Sequence, residues 1–359
     1  MHSQTRRDSE GGFSLVEVLV VILIMGIVLG SVFTLMKNSL FLSNTTYELT
    51  DTRENVRVAH EYINRDIINA GYGLNDYDFI LVRKAFVTDY LAKNAIPITG
   101  NTNYVNLGIV SSDRDPGAVA VKDTSPAVNV LDDTDRLTIL RLDPTFTAIS
   151  VPSGKITGYG ATFSMSSAEG SQLKVGNIYF LTSSTGAALG RVTAISTAGT
   201  TSTVSFSESG SYGLNKNDAT GPINTIGLGD GSGKNTQTVN IRRAFITHYY
   251  VNSRKELMKR EFGVVGSGFT DNLVAEHITG LSFRYILGVN NADGTVQQPV
   301  TQLTSWSQQD AVRQIEIKIT GETTHTVNFE DNKRAEDSLT TVSSARNLQF
   351  RRAQNPKKP

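Results

Sequence analysis

The most informative absence in this 359-residue chain is cysteine, of which the sequence has none. Without thiols the chain can form no disulfide, no thiolate metal site and no cysteine nucleophile, so packing and hydrogen bonding must hold its fold. The chain also has no excess of positive or negative charge, because 34 Lys and Arg balance 34 Asp and Glu. A chain without net charge has no overall attraction for nucleic acid, and the composition predicts no nucleic-acid partner.

Long apolar runs are absent except for one near the N-terminus. Residues 18–36, VLVVILIMGIVLGSVFTLM, contain no charged side chain. At 1.5 Å per residue this stretch forms a helix about 28 Å long, close to the roughly 30 Å hydrocarbon core of a bilayer. Residues 31–42 offer no small-residue cleavage site of the kind that follows a secretory signal peptide. The run therefore predicts one membrane span.

A helical pattern continues beyond the apolar run. Neither Gly nor Pro interrupts residues 31–70, and Gly71-Tyr72-Gly73 is typical of a helix end. We predict a single helix from about Phe13 to about Ala70, with a transmembrane and assembly half at 13–36 and an amphipathic half at 37–71. In the amphipathic half, the predicted buried stripe is Leu49, Val56, Ala59, Tyr62, Ile63, Ile67 and Ala70, and the predicted polar remainder is Asp51, Arg53, Glu54, Arg57, Glu61 and Asp66.

The rest of the chain, 72–351, has the composition of a strand-rich head. Its many Gly, Ser, Thr and Asn residues suit strands joined by turns, and RQIEIKIT alternates apolar and polar residues as a half-buried strand does. AFITHYYV, NIYFLT and TSTVSF predict further strands. We expect a Gly/Ser/Thr-rich surface insertion at about 197–238 and a disordered tail at 352–359. The predicted fold class is α+β, a long N-terminal helix packed on a head rich in antiparallel β-sheet.

One acid, Glu17, stands at the start of the apolar helix. A carboxylate near hydrocarbon costs a few kcal/mol unless it is neutralised or paired, so Glu17 requires a partner.

Residues 11–30, GGFSLVEVLVVILIMGIVLG, resemble the N-terminus of type IV prepilins. The family pattern is a short hydrophilic leader ending in Gly, then Phe, then an apolar helix with Glu at the fifth mature position. The resemblance implies a leader at 1–12, cleavage after Gly12 by a membrane prepilin peptidase, and methylation of the new amine of Phe13. It also implies an assembly salt bridge between Glu17 and the positive amine of Phe13 on a neighbouring subunit.

Two glycines, Gly26 and Gly30, lie within the apolar helix. Glycine weakens a helix by about 1 kcal/mol and permits close approach of another helix. Two interpretations stay open: the family resemblance implies helix flexibility, a segment that loosens on assembly, whereas ordinary transmembrane helices use such residues for close packing.

Later blocks resemble the PilW family of minor pilins. Residues 55–74, NVRVAHEYINRDIINAGYGL, are similar to the helix end of that family, and further blocks follow in the same order. They are DRLTIL, LKVGNIYFLTSSTGAALGRVTAIS, ITHYYVNSRKELMKRE, LVAEHITGLSFRYILGVNNADG, SWSQQDAVRQIEIKIT and RNLQFRR, the last of which resembles the closing strand.

The resemblance implies a structural protein that primes or caps type IV pilus filaments. Its partners would be other minor pilins, the major pilin, the prepilin peptidase and the inner-membrane assembly platform. The protein would lie in the bacterial inner membrane, with a single span, before assembly and then at the pilus tip, where a bulky head has open space. The alternatives are a J-class pseudopilin of a type II secretion system, a filament-tip adhesin, and a signal-anchored envelope protein without a filament role.

The sequence offers no recognisable chemistry for catalysis or metal binding. The histidines at positions 2, 60, 248, 277 and 325 show no metal-ligand spacing, the last three in strand-like contexts, and GLGDGSG lacks the ending of a phosphate loop. In GVNNADG, Asp293 is the one carboxylate, which favours a tight hairpin turn over a calcium site. We predict no enzyme activity, no cofactor and no metal.

Overall fold

The computed structural model describes residues 13–74, 80–91, 103–113, 121–122, 127–206, 208, 212–228, 237–264, 268–288, 298–303, 308, 311–327 and 333–348. The leader at 1–12, with Gly12, and the tail at 352–359 lie outside these residues. So do most of the GLGDGSG and GVNNADG segments, including Asp293.

One helix, α1, runs from Leu15 to Ile68 over 54 residues. Both of its ends lie within two residues of the predicted ones. Gly71 follows with a φ of 75°, a conformation that glycine adopts without strain. The side-chain amide of Asn347 donates to the carbonyl oxygens of Ile68 and Ala70, at 3.4 and 3.2 Å, so the head satisfies acceptors that the end of the helix leaves open.

Short helices and seventeen strands form the described part of the head. The helices are α2 (Lys84–Tyr90) and α3 (Ser167–Gly170), and a π-helical turn covers Asn224–Leu228. The strands are β1 (Ile80–Arg83), β2 (Tyr104–Asn106), β3 (Val110–Asp113), β4 (Arg136–Leu142), β5 (Ile149–Val151), β6 (Ile156–Thr157), β7 (Thr162–Ser166), β8 (Ile178–Thr182), β9 (Ala187–Arg191), β10 (Ala194–Ala198), β11 (Thr201–Ser205), β12 (Val239–Val251), β13 (Leu257–Val264), β14 (Gly268–Ala275), β15 (Ile278–Leu287), β16 (Val312–Glu322) and β17 (Glu336–Ser344).

The longest strand, β12, is the centre of a ten-stranded sheet. Its 13 residues pair antiparallel with β13, β4, β8 and β5. The main path through this large sheet is β14-β13-β12-β8-β9-β1-β2, and the pairing of β1 with β9 is parallel. Residues 246–251 of β12 are all buried, so both faces of this strand are covered.

Two smaller antiparallel sheets complete the described head. One has the order β10-β11-β7-β6 and the other the order β15-β16-β17. The second half of α1 packs on β16 and β17 and along β14 of the large sheet. The main hydrophobic core joins α1, the large sheet and the three-stranded sheet, and a second core joins the large and four-stranded sheets. The predicted α+β fold class is confirmed.

The buried stripe of α1 differs in part from the predicted one. Val56, Ala59, Ile63, Ile67 and Ala70 are buried as predicted, whereas Leu49 is half-buried and Tyr62 is 41% exposed. The prediction was wrong for Tyr62, which lies at the rim of the stripe beneath the guanidinium of Arg65. It was also wrong for Asp66, which is buried because the head supplies hydrogen-bonding and cationic partners for its carboxylate.

The stretch 197–238 is not a surface insertion throughout. The strand predicted at TSTVSF is confirmed as β11, but β10 also reaches into this stretch. Tyr212 and Leu214 belong to the main core, and Ile223, Ile226 and Leu228 belong to the second core. Isolated apolar residues hold an otherwise polar, Gly-rich segment against the head, and composition alone does not reveal them.

The other strand predictions have mixed outcomes. RQIEIKIT, AFITHYYV and NIYFLT lie in β16, β12 and β8, as predicted. The prediction of a closing strand at RNLQFRR was wrong for its described part, because residues 346–348 form a helical turn and the last described strand is β17. The helical turn positions Asn347 beneath the end of α1.

The chain reverses direction after β15. Tyr285 and Val300 pair antiparallel through two backbone hydrogen bonds of 2.7 and 3.0 Å. The predicted hairpin turn at GVNNADG lies between these two residues, mostly outside the described part of the chain.

Gly321 in β16 allows α1 to approach the three-stranded sheet closely. A Cβ atom at this position would lie 2.8 Å from Cγ2 of Val56 and 3.3 Å from Cγ2 of Thr52. Both separations are below ordinary van der Waals contact, so a larger residue would push the helix and the sheet apart.

We expect Gly321→Ala to lower the free energy of unfolding by about 1–3 kcal/mol, because the added methyl group overpacks the contact with α1. Adding Val56→Ala should recover part of this loss, because it removes the methyl group that the new Cβ meets. Chemical denaturation of the detergent-solubilised protein, followed by circular dichroism, measures both effects. A Gly321→Ala protein with unchanged stability would contradict the close contact.

Candidate assembly segment

The N-terminus of α1 is closed by a reciprocal pair of side-chain hydrogen bonds. Ser14 is the N-cap residue, and its hydroxyl oxygen accepts from the backbone N–H of Val16 at 3.3 Å. Oε2 of Glu17 accepts from the backbone N–H of Ser14 at 3.1 Å, which completes a capping box. Glu17 therefore has a hydrogen-bonding partner within its own chain. Phe13 precedes the cap and is 85% exposed.

Every residue from Phe13 to Leu40 is exposed, and these residues are called the assembly segment here. Among the described residues, α1 is the one helix that is long and apolar enough to cross a membrane. Its most apolar window has a mean hydropathy of 2.9, and none of that window is buried. Apolar surface on this scale is unfavourable in water, so the assembly segment requires lipid or other helices around it.

Two hydroxyl groups within the apolar part of the assembly segment are satisfied by the helix itself. The hydroxyl groups of Ser31 and Thr34 donate to the carbonyl oxygens of Ile27 and Gly30, both at 2.9 Å. Such internal bonds allow these residues to lie in an apolar environment without an unpaired donor.

The two predicted glycine sites lie on one face of α1. Gly26 and Gly30 are four residues apart, and a Cβ atom at either position would meet nothing within 4 Å. The helix is continuous through both. The structure places them well away from Phe13 and Glu17, so the four predicted residues form one helical segment rather than one cluster.

The junction where α1 leaves the head is tied by Glu48. Its Oε2 accepts from the backbone N–H groups of Thr324 and His325 at 3.0 and 3.3 Å, and Nδ1 of His325 lies 2.7 Å from Oε1. Burial by itself raises the pKa of Glu48, but the hydrogen bonds from His325 outweigh burial and hold the pKa below its ordinary value of 4.5. Farther along, Arg53 forms an ion pair with Asp337 at 2.9 Å.

The other end of α1 is held to the head by a polar cluster of Asp66, Tyr249, Lys259 and Glu261, called the Asp66 cluster. Oδ2 of Asp66 accepts from the hydroxyl of Tyr249 at 2.6 Å and lies 3.0 Å from Nζ of the buried Lys259. The same Nζ lies 3.0 Å from Oε1 of Glu261. Burial raises the pKa of Tyr249, and the neighbouring Asp66 carboxylate raises it further, so the hydroxyl keeps the proton that it donates.

Sequence reasoning missed both the Asp66 cluster and the capping box. Asp66 lies at helical spacing from Ala59, Ile63 and Ala70, which are all buried, so its position on the inner face was readable. Its partners were not readable, because Tyr249 and Lys259 meet only through the register of β12 with β13. The capping box was readable, since Ser14 and Glu17 have the S-x-x-E spacing before an apolar run.

The histidines are dispersed over the described chain. His60 is half-buried and bonded to Thr341, and burial lowers its pKa below the ordinary 6.5. His248 is buried in β12, 2.9 Å from the hydroxyl of Thr138. The strand context predicted for His277 and His325 was wrong, because both lie in connections after strands. Within the described ranges, no group of three or more His, Asp or Glu side chains could hold a metal ion.

Comparison with known proteins gives one match, at the N-terminal end of the chain. Residues 7–33 match the prokaryotic N-terminal methylation motif. No curated protein and no solved structure matches the chain. The motif and the exposed apolar helix together support a type IV pilin-like or pseudopilin-like protein, with a structural role, that is processed by a prepilin peptidase and anchored in the inner membrane before it joins other pilins.

The Asp66 cluster gives a prediction about the coupling of α1 to the head. Lys259→Met should lower the free energy of unfolding by about 3–5 kcal/mol, because the Asp66 carboxylate loses its buried cation. The double variant Asp66→Leu/Lys259→Met should be much closer to the wild type, since Tyr249 can still donate to the carbonyl oxygen of Tyr62, 3.2 Å away. Chemical denaturation measures both variants, with the exposed Lys318→Met as the control.

Equal effects of Lys259→Met and Lys318→Met would show that the buried ion pair does not hold α1 in place.

Proposed function

We propose that the protein is a minor pilin of the PilW type that primes or caps a type IV pilus. The observation that carries the proposal is the division of α1 into two continuous parts. The assembly segment lies wholly outside the head, and the rest of the helix is fixed to the head by packing, by Glu48 and by the Asp66 cluster. Such a helix can anchor the protein in a membrane and later carry the head on a bundle of similar helices.

Maturation would begin with cleavage after Gly12 and methylation of the amine of Phe13. The methylation motif supports this step, since it spans both residues. Phe13 lies immediately before the Ser14 cap, so cleavage leaves the capping box of α1 intact.

Incorporation would use the charge of Glu17. Its carboxylate accepts one hydrogen bond from Ser14, and carboxylate oxygens can accept several more. In our proposal the amine of Phe13 on a neighbouring subunit supplies the compensating cation within a packed bundle of helices. The attraction offsets the loss of hydration only where the two groups meet, so the pair selects the docking register.

The size of the head supports a position at the filament tip. The described head has seventeen strands in three sheets, all carried by one helix. A subunit that repeats along a filament must fit between identical neighbours, which a head of this size makes difficult. A terminal subunit has free space above it. The partners in this proposal are the other minor pilins, the major pilin and the inner-membrane assembly platform.

Processing is tested with Gly12→Val. We expect the wild-type protein from envelope fractions to begin with N-methylated Phe13, and the variant to keep its leader and remain in the inner membrane. Mass spectrometry of the N-terminal peptide measures both. A wild-type protein that retains Met1, or normal processing of the variant, would contradict the proposed maturation.

Assembly is tested with Glu17→Gln and Glu17→Ala, using Glu61→Gln on the exposed face of α1 as the control. Gln keeps a side-chain oxygen that can accept from Ser14 but removes the charge, whereas Ala removes both. If charge pairing drives incorporation, both Glu17 variants should insert in the membrane yet fail to restore surface pili in a deletion strain. Immunogold microscopy and pilus shearing measure this outcome.

Normal piliation with Glu17→Gln but not with Glu17→Ala would assign Glu17 to helix capping alone. Normal piliation in the deletion strain itself would remove the proposed role in priming.

A further inference from the structure

The strand β10 forms an exposed edge of the four-stranded sheet. Among the described strands it pairs with β11 on one side and with none on the other. Ala194, Ser196, Thr197 and Ala198 are exposed, whereas Ile195 is half-buried against the second core. The hydroxyl oxygens of Thr197 and Ser202 lie 2.8 Å apart. Ile195 and Thr197 therefore lie on the face of the strand that contacts the rest of the head, and the other face is lined by small side chains.

This edge lacks the protection that other edge strands in the described chain carry. The segment 192–206 has no charged residue and no proline. By contrast, β14 contains Asp271, β17 contains Glu336 and Asp337, and β2 and β6 have only three and two residues. Charges, proline and short length are the usual means by which proteins prevent strand addition at an edge. Their absence from β10 indicates an edge open to pairing.

The sequence of β10, AISTA, is suited to pairing with itself. In an antiparallel pair centred on Ser196, all five residues are paired, with Ala194 opposite Ala198 and Ile195 opposite Thr197 of the second copy. This register places Ile195 and Thr197 of both copies on the same side of the joined sheet, so the faces that contact the two heads become continuous. No charge is brought opposite a like charge. Ile and Thr are both β-branched residues that suit a strand.

We propose that β10 is a docking edge for a second copy of this chain, which adds its own β10 antiparallel about Ser196. The two four-stranded sheets then form one eight-stranded sheet across a two-fold axis. The contact links two heads and uses no residue of α1. A five-residue strand gives a small interface, so the pairing is weak between free molecules and is favoured where copies are held close together.

The absence of cysteine from the chain makes a direct test possible. In Ser196→Cys the new thiol lies opposite its own copy at the two-fold axis, so a mild oxidant such as diamide should convert the full-length, detergent-solubilised protein to a disulfide-linked dimer. Ser338→Cys, at an exposed position of the charged edge strand β17, is the matched control. We expect several-fold more cross-linked dimer from Ser196→Cys than from Ser338→Cys.

A charge at the same position gives a second, independent readout. Ser196→Lys places two ammonium groups opposite each other and should reduce the dimer fraction in sedimentation velocity at high concentration, whereas Ser338→Lys should not. Equal cross-linking in both cysteine variants, or an unchanged dimer fraction in Ser196→Lys, would overturn the proposal. N-terminal processing and piliation of Ser196→Lys are read separately, so failure here leaves the proposed function untouched.

Discussion

The buried ion pair between Asp66 and Lys259 is the constraint on which the arrangement of helix and head depends. Two charges removed from water are tolerated only when they meet in good geometry and their remaining hydrogen-bonding groups are satisfied. Tyr249 and Glu261 provide that completion. Because the pair cannot form after a shift of one residue along the helix, it fixes the register of α1 on the large sheet. The contacts that follow from this register are Val56 with Gly321, His60 with Thr341, Asn64 with Ser343, Arg53 with Asp337, and Glu48 with Thr324 and His325.

The two parts of α1 have opposite requirements, although one continuous helix contains both. The second part buries its inner face in the chain's own core, with Ala59, Ile63 and Ile67 fully covered. The assembly segment is not covered by the head, and the hydroxyl groups of Ser31 and Thr34 in its apolar part are bonded within the helix. The apolar face of the second part is thus covered within the chain, whereas the apolar surface of the assembly segment is not. This difference is expected of a subunit whose helix transfers between a membrane and an assembly.

Local patterns made α1 and several strands predictable, because the periodicity of apolar residues reports directly on helix and strand faces. The capping box at Ser14 and Glu17 is equally local. Features that depend on residues distant in the chain were not predictable, among them the burial of Asp66 against Tyr249, which is 183 residues away. The anchoring of Tyr212 and Ile223 in the two cores is of the same kind. A single apolar residue in a polar segment does not form a periodic pattern, so its burial depends on the surrounding fold and is not visible in the local sequence.

The length of α1 that extends beyond the head makes the position of its N-terminal end sensitive to small changes of angle where the helix leaves the head. From Leu40 to Leu15 the helix extends about 39 Å beyond the head at 1.5 Å per residue, so a tilt of about 5° where it leaves the head displaces its N-terminal end by about 3 Å. The proposed ion pair between Glu17 and the amine of a neighbouring Phe13 would be lost over a comparable distance, since the atoms of an ion pair must lie within about 4 Å. The rigidity of the contacts that Glu48 and Arg53 make with the head therefore limits how far the N-terminal end of the helix can move sideways.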